Sequence, residues 1–286
     1  MFVPRGILEE KLRRILAEDI GEGDVTTSSI VPPKTVAEAE IISNETGTVA
    51  GIEEAEILSE TVGLRAKAYV EDGDKIEPGQ VLLSVAGNAR AILSVERTML
   101  NVLARMSGIA TATASMVEEV RKAGAQVRIA GTRKTAPGLL YFDKKAVLLG
   151  GGDPHRLHLD DMVLIKDNHL AIIGSVEKAV KKARENASFS KKIEAEVTRV
   201  ADALKAAEAG ADIIMLDNFS PKQIKEAVKA LKNAGFFGKI LLEVSGWVTA
   251  ENLLEYASAQ VNIISMGELT HSVKALDISL EITKVK

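Results

Sequence analysis

Arg133, Lys134, His155, Arg156 and Lys166 fall within 34 residues of a chain whose formal net charge is -4. Cations gathered locally in an acidic protein suit an anion: arginine grips carboxylates and phosphates bidentately, lysine as a point charge. Lys144 lies in the same stretch. Carboxylates follow later, Glu196 and then Asp217. Such a pair, beside substrate oxygens, can hold Mg²⁺, although pairing with the lysines is the plainer alternative. Ser245-Gly246 and Met266-Gly267 offer main-chain N–H groups of the kind that hold a terminal phosphate. Three of the four histidines also lie in this region, but HRLH and DNH lack the spacing of a zinc site. His155 reads as a substrate contact, while His158 fits a structural role equally well. The single Trp247 and the scattered methionines read as packing.

Something must bring these residues together. After Gly124 the chain alternates short apolar, β-rich runs with helical stretches: VRIAG, MVLIK, KIEAEV, DIIML, KILLEV and NIISM. Continuous apolar runs are strands buried on both faces, and helical crossovers make their pairing parallel. Ser220-Pro221 is a helix start, an N-cap with proline in the first turn. No GxGxxG follows a strand, which favours a barrel over a dinucleotide-binding sheet. In a parallel barrel the loops after the strands converge on one point, and here each run delivers a polar residue or glycine to that end. A lone charge after a strand is ordinarily a solvated loop residue, but six such deliveries in a row imply a site.

The N-terminal part has another rhythm. Leu8, Leu12, Ile15 and Leu16 share one face of an amphipathic helix that ends near Gly21 and Gly23, and a polar loop follows to Ser29. From about Thr35 to Gly87 short strands alternate with turn residues, interrupted by a helix near Glu53 to Val62, which implies an α+β domain. Ile92, Val95, Met99, Val102, Leu103 and Met106 then line a long helix. The reading is an α/β protein with an N-terminal α+β sandwich over residues 1–108 and a barrel over 109–271. The tail 272–286, which ends in the strand-like DISLEITKV, packs back on the first domain. The chain has no cysteine, which excludes disulfides and thiolate chemistry and fits the cytoplasm. Charges interrupt every apolar stretch, so neither a signal core nor a membrane span is expected. The acidic balance gives no field for nucleic acid.

The stretches EDIGEGDVTT, ERTMLNVLARMSGIAT, AGTRKTAPGL, KKAVLLGGGDPHR, LIKDNH, EAEV, MLDN and GELTHSV, in this order, resemble the quinolinate phosphoribosyltransferases, the carboxylating nicotinate-nucleotide pyrophosphorylases. The resemblance implies an incomplete seven-stranded barrel, of which six strands are evident, and a homodimer sharing its active sites, with larger assemblies left open. It implies transfer of phosphoribose from 5-phosphoribosyl-1-pyrophosphate to quinolinate with decarboxylation and Mg²⁺, giving nicotinate mononucleotide for NAD biosynthesis. Carried over by motif, Arg133, Lys134, His155 and Arg156 would hold the dicarboxylate, and Arg97 would reach in from the neighbouring subunit. Lys166 would lie between the substrates, and Glu196 and Asp217 would serve the ribose hydroxyls and metal. Ser245, Gly246, Gly267 and His271 would face the 5-phosphate. Lys134, Lys166, Glu196 and Asp217 would form the catalytic set. EDIGEGDVTT would be structural or interfacial.

Two positions depart from the family pattern: Leu140 stands where an arginine commonly follows PGL, and Trp247 where SGG is usual. Neither removes a carried-over catalytic residue. A paralogue acting on another aromatic acid is the nearest rival, opposed by the number of cations available for two carboxylates. VEDGDKIEPGQVLL also resembles half of a biotinyl or lipoyl carrier hairpin, but no lysine-bearing turn completes it.

Overall fold

The computed structural model describes residues 3–286, which divide into two compact units. The first comprises residues 3–114, 141–151 and 273–286, and the second 115–140 and 152–272. The strip 141–151 therefore leaves the barrel to which the sequence pattern assigned it.

In the first unit α1 (Arg5–Ile20) buries Leu8, Leu12 and Leu16 at helical spacing and stops at Gly21, whose φ of 56° suits a residue without Cβ. The expected polar loop is instead a short helix, α2 (Val25–Ile30). Asp24 caps it, accepting the Thr27 N–H at 2.9 Å. Strands β1 (Val36–Ser43), β2 (Gly47–Thr48), β3 (Arg65–Ala68), β4 (Lys75–Ile76) and β5 (Val81–Asn88) surround α3 (Ile52–Thr61) in sequence. Along β1 the buried positions alternate, Ala37, Ala39, Ile41 and Ser43, as a half-covered strand requires. Lys75 sits within β4 and donates to Thr48 Oγ1 at 2.9 Å, so it is not a carrier lysine at a hairpin tip.

Helix α4 (Ala89–Lys122) buries Ile92, Val95, Met99, Val102, Leu103 and Met106. Thr98 Oγ1 donates to Asp19 at 2.8 Å and Ser94 Oγ to Asp24 at 3.2 Å, so both aspartates of EDIGEGDVTT are anchored on this helix.

The second unit holds β6 (Arg128–Gly131), β7 (Val163–Ile165), β8 (Ile193–Val197), β9 (Ile213–Asp217), β10 (Leu241–Ser245) and β11 (Ile263–Met266). They form one parallel sheet in the order β6-β11-β10-β9-β8-β7. The seventh position is reduced to one residue. Asp153 bridges Ala130, its N–H donating to Ile129 O at 2.8 Å and its O accepting from Gly131 N–H at 2.9 Å. Residues next to both edge strands, Arg133 after β6 and Lys166 after β7, line the same cavity, which requires the sheet to curl.

Between β6 and Asp153 the chain forms α5 (Leu140–Leu149), which was not expected because its charges hide the apolar pattern. Those charges are buried in the first unit. Asp143 is fully buried and takes Arg105 bidentately at 2.7 and 2.8 Å. Lys145 binds Glu54 at 2.9 Å beside Glu53 and Asp72. Lys144 is buried too, so it is a packing element of α5 rather than part of a cationic funnel. After β7 comes α6 (Asp167–Ile173), then the crossovers α7 (Val176–Asn186), α8 (Val200–Glu208) and α9 (Pro221–Asn233). Ser220 caps α9 in a capping box with Gln223, as Ser-Pro indicated. Helices α10 (Leu253–Ala257) and α11 (Glu268–His271) flank β11, and β12 (Ile278–Val285) closes the chain, pairing antiparallel with β1. No described helix is long and apolar enough to cross a membrane.

Candidate active site

Side chains two apart on a strand share a face. That rule stacks the barrel interior in layers: Leu164 below Lys166, Met215 below Asp217, Glu243 below Ser245, Ser265 below Gly267. These pairs, with Glu196, line one cavity of about 810 Å³. Arg133, Lys134, His155, Arg156, Gly246 and His271 line it as well, so every barrel residue expected at the site is present. Arg97 is exposed on α4, in the first unit.

The cations differ in their partners. Lys166 Nζ lies 2.5 Å from Glu196 Oε2. Among the described residues the side chains of Arg133, Lys134 and Arg156 form no ion pair. Burial lowers the affinity of Arg156 for its proton, and the charge of Arg133 acts in the same direction. Like charges held near one another without a direct ion pair make a receptor for an anion. Asp217 accepts from Asn218 Nδ2 at 2.7 Å. Burial raises its carboxyl above the ordinary range and the charge of Glu196 adds to that, which is the electrostatic demand of a cation site.

Beneath this layer is a feature that the sequence reading missed. Glu194 and Glu243 are fully buried, and both oxygens of Glu194 and Oε1 of Glu243 lack a hydrogen-bond partner. His155 Nδ1 accepts the Arg156 N–H at 2.7 Å, so the ring proton lies on Nε2, which donates to Glu243 Oε2 at 3.1 Å. With the Nε2 proton aimed at the carboxylates, His155 does not serve a metal there. Its two nitrogens are both engaged inside the barrel, and the residue still lines the cavity. Burial, with the charge of Glu243 beside it, pushes Glu194 up to about 8, so at neutral pH Glu194 holds a proton. The signal was available: each glutamate interrupts an apolar strand run, and each lies two residues below a cavity residue.

The remaining histidines are placed differently. His158 is exposed, in a turn whose N–H groups bond to Asp161. His169 Nδ1 accepts the Lys166 N–H at 2.9 Å and so shapes the start of α6. His271 lies against Gly267, where a Cβ would meet its ring at 2.9 Å.

Gly246 has φ 78°, and a Cβ there would come within 2.1 Å of Asn218 Oδ1. Gly246→Ala therefore combines left-handed strain of about 1–2 kcal/mol with a clash. It is expected to lower the melting temperature by more than Gly210→Ala, where φ is 95° and no atom lies within 4 Å. Equal drops would show that Asn218 yields without penalty.

Trp247 is 78% exposed, lines the cavity and has φ 54°, so it is not the packing residue expected from sequence.

A curled parallel sheet with unpaired cations and an acidic pair at its strand ends is the arrangement of an α/β-barrel enzyme for anionic substrates. Family comparison agrees. The chain belongs to the quinolinate phosphoribosyl transferase family, whose N-terminal domain matches residues 24–107 and C-terminal domain residues 109–281. It is 45% identical over 275 residues to the probable carboxylating nicotinate-nucleotide pyrophosphorylase of Methanothermobacter thermautotrophicus, covering 96% of this chain and 99% of that one. The human carboxylating nicotinate-nucleotide pyrophosphorylase is 39% identical over 246 residues, 86% of this chain and 82% of its own. The solved nicotinate-nucleotide pyrophosphorylase from Francisella tularensis superposes with a TM-score of 0.88 at 35% identity, over 99% of this chain and 98% of that one.

Proposed function

We infer that this protein transfers phosphoribose from 5-phosphoribosyl-1-pyrophosphate to the ring nitrogen of quinolinate, releasing pyrophosphate and CO₂ and yielding nicotinate mononucleotide for NAD biosynthesis. The observation that carries this is the set of unpaired cations, Arg133, Lys134 and Arg156, lining the same cavity as Glu196 and Asp217. A dicarboxylate needs several donors, and Arg133 with Arg156 supplies two bidentate ones. His155 holds the Arg156 main chain in place from below.

Departure of pyrophosphate leaves an oxocarbenium-like ribose. Lys134 and Lys166 offset the leaving group's charge, and Glu196 and Asp217 face the ribose hydroxyls and the positive charge that develops. No side chain acts as a nucleophile. Once the pyridine nitrogen is alkylated, its positive charge stabilises the carbanion that loss of CO₂ leaves on the adjacent ring carbon, and that carbon then takes a proton from water. The raised carboxyl of Asp217 beside Glu196 fits a divalent ion, and Mg²⁺ bound there would neutralise the pyrophosphate oxygens. Ser245, Gly246, Gly267 and His271 take the 5-phosphate end.

Arg97 completes the acid pocket from a second copy in a homodimer. It is exposed, and its side chain makes no hydrogen bond or ion pair among the described residues. If so, Arg97→Ala and Lys166→Ala proteins, each inactive alone, should recover roughly a quarter of wild-type activity when dissociated and reassembled together, because half the dimers then carry one intact site. Recovery absent in verified heterodimers would place Arg97 in its own subunit's site or in none. A cysteine-free chain is suited to the cytoplasm, which we keep as its location.

The assay is direct: protein, quinolinate, phosphoribosyl pyrophosphate and Mg²⁺, followed for nicotinate mononucleotide and CO₂. Acceptance of nicotinate or another aromatic acid in place of quinolinate would instead favour a paralogous activity.

A further inference from the structure

Trp247 combines three properties that rarely coincide. A bulky residue seldom adopts a positive φ, yet Trp247 stands at 54°, directly after Gly246 at 78°. It is 78% exposed, so burial of the indole does not compensate that backbone. The conformation is instead imposed by Asn252, whose Nδ2 donates to Trp247 O at 2.8 Å while its Oδ1 accepts the Thr249 N–H at 2.9 Å. Strain that the surroundings enforce and packing does not reward is characteristic of functional loops. The loop also carries unused donors: among the described residues nothing accepts the main-chain N–H of Trp247 or of Val248, and both residues line the cavity.

We propose that Trp247 positions the phosphorylated ribose, its indole closing over the sugar phosphate that the main-chain donors of this loop face. This rests on the site reading above, which puts the 5-phosphate at the loop after β10. An indole suits the role chemically: its face packs on the ribose C–H groups, and Nε1–H is a donor that an anionic oxygen accepts. A glycine at this position would leave the main-chain donors and remove the cover. Trp247 therefore sets how tightly this enzyme holds its phosphoribosyl donor, and it acts on the pyridine dicarboxylate only indirectly.

Trp247 is the only tryptophan in the chain, so intrinsic emission reports on it alone. Titration of the purified protein with phosphoribosyl pyrophosphate, and separately with ribose 5-phosphate, should shift the emission saturably. Quinolinate alone should leave it unchanged. Trp247→Gly should raise the KM for phosphoribosyl pyrophosphate about tenfold, by the loss of one aromatic cover, with smaller changes in kcat and in the KM for quinolinate. Its melting temperature should hold or rise, because glycine relieves the positive φ; a purely structural tryptophan would give the opposite sign. Trp247→Phe keeps a ring without the N–H donor and should fall between the two. Turnover accompanied by a silent emission signal, or by a KM unchanged in Trp247→Gly, overturns the proposal and leaves the assigned reaction standing. A protein with no turnover at all overturns both.

Discussion

Lys166→Ala should lower kcat by roughly 10²–10³-fold, the usual effect of losing a preorganised charge aimed at a transition state, and should leave the melting temperature within a few degrees of wild type. The two halves of that expectation have separate causes. The Lys166 ammonium is 44% exposed, so its 2.5 Å pair with Glu196 adds little to folding. On the proposed assignment its catalytic weight comes from location: it follows β7 and lines the cavity with the unpaired cations and the acidic pair, where the charges of the departing pyrophosphate and of the ribose would be balanced together. Without it, Glu196 and Asp217 also repel each other more strongly, since the Lys166 charge opposes that repulsion at Asp217. Steady-state kinetics on a variant with an unaltered circular dichroism spectrum tests this; a rate within threefold of wild type would remove Lys166 from the machinery.

The second large effect concerns Glu194, and it appears as pH-dependent stability. Its carboxyl is raised from 4.5 to about 8 in the folded state. Below pH 4.5 both folded and unfolded chains carry the proton and the group contributes no pH dependence. Between 4.5 and 8 the unfolded chain ionises while the folded chain keeps its proton, so stability falls as pH rises, and above 8 the loss is complete. A raised acid is thus most favourable at low pH. The loss across the window should amount to a few kcal/mol. Glu194→Gln removes the titrating group with little change of shape, so its urea midpoint should decline less than that of wild type between pH 5.5 and pH 8.5. Parallel curves for the two proteins would mean that Glu194 is ionised in the folded state throughout.

Much of the barrel could be read from the chain because double-sided burial leaves a continuous apolar run. All six such runs became strands of the parallel sheet, and each brought a polar residue or glycine from its end to the cavity. What escaped the reading has physical reasons. The seventh position is one bridging residue, Asp153, too short to leave any periodicity. Helix α5 buries Asp143, Lys144 and Lys145 on partners distant in sequence, so its charges looked like surface or funnel. The short helix α2 depends on its Asp24 cap, and six residues with two threonines and two serines carry no helical propensity of their own. Glu194 and Glu243 were hidden because a glutamate in a strand reads as the solvated side of an alternation, whereas here both faces are closed. Trp247 was misjudged by its size; the backbone at this position, which sequence does not display, decides its exposure.

The last strand has a consequence for how the protein is made. β1 lies between β5 and β12, and β12 is made only after the whole second unit has been synthesised. Until β12 has emerged from the ribosome, the first unit lacks an edge of its sheet and, earlier in synthesis, the α5 segment that joins it. An N-terminal domain ordinarily folds first as it emerges; this one waits for a strand that follows the second unit. Nascent chains should therefore stay protease-sensitive in β1 until β12 emerges, and a stalled chain ending before Ile278 should expose an unpaired strand edge to chaperones.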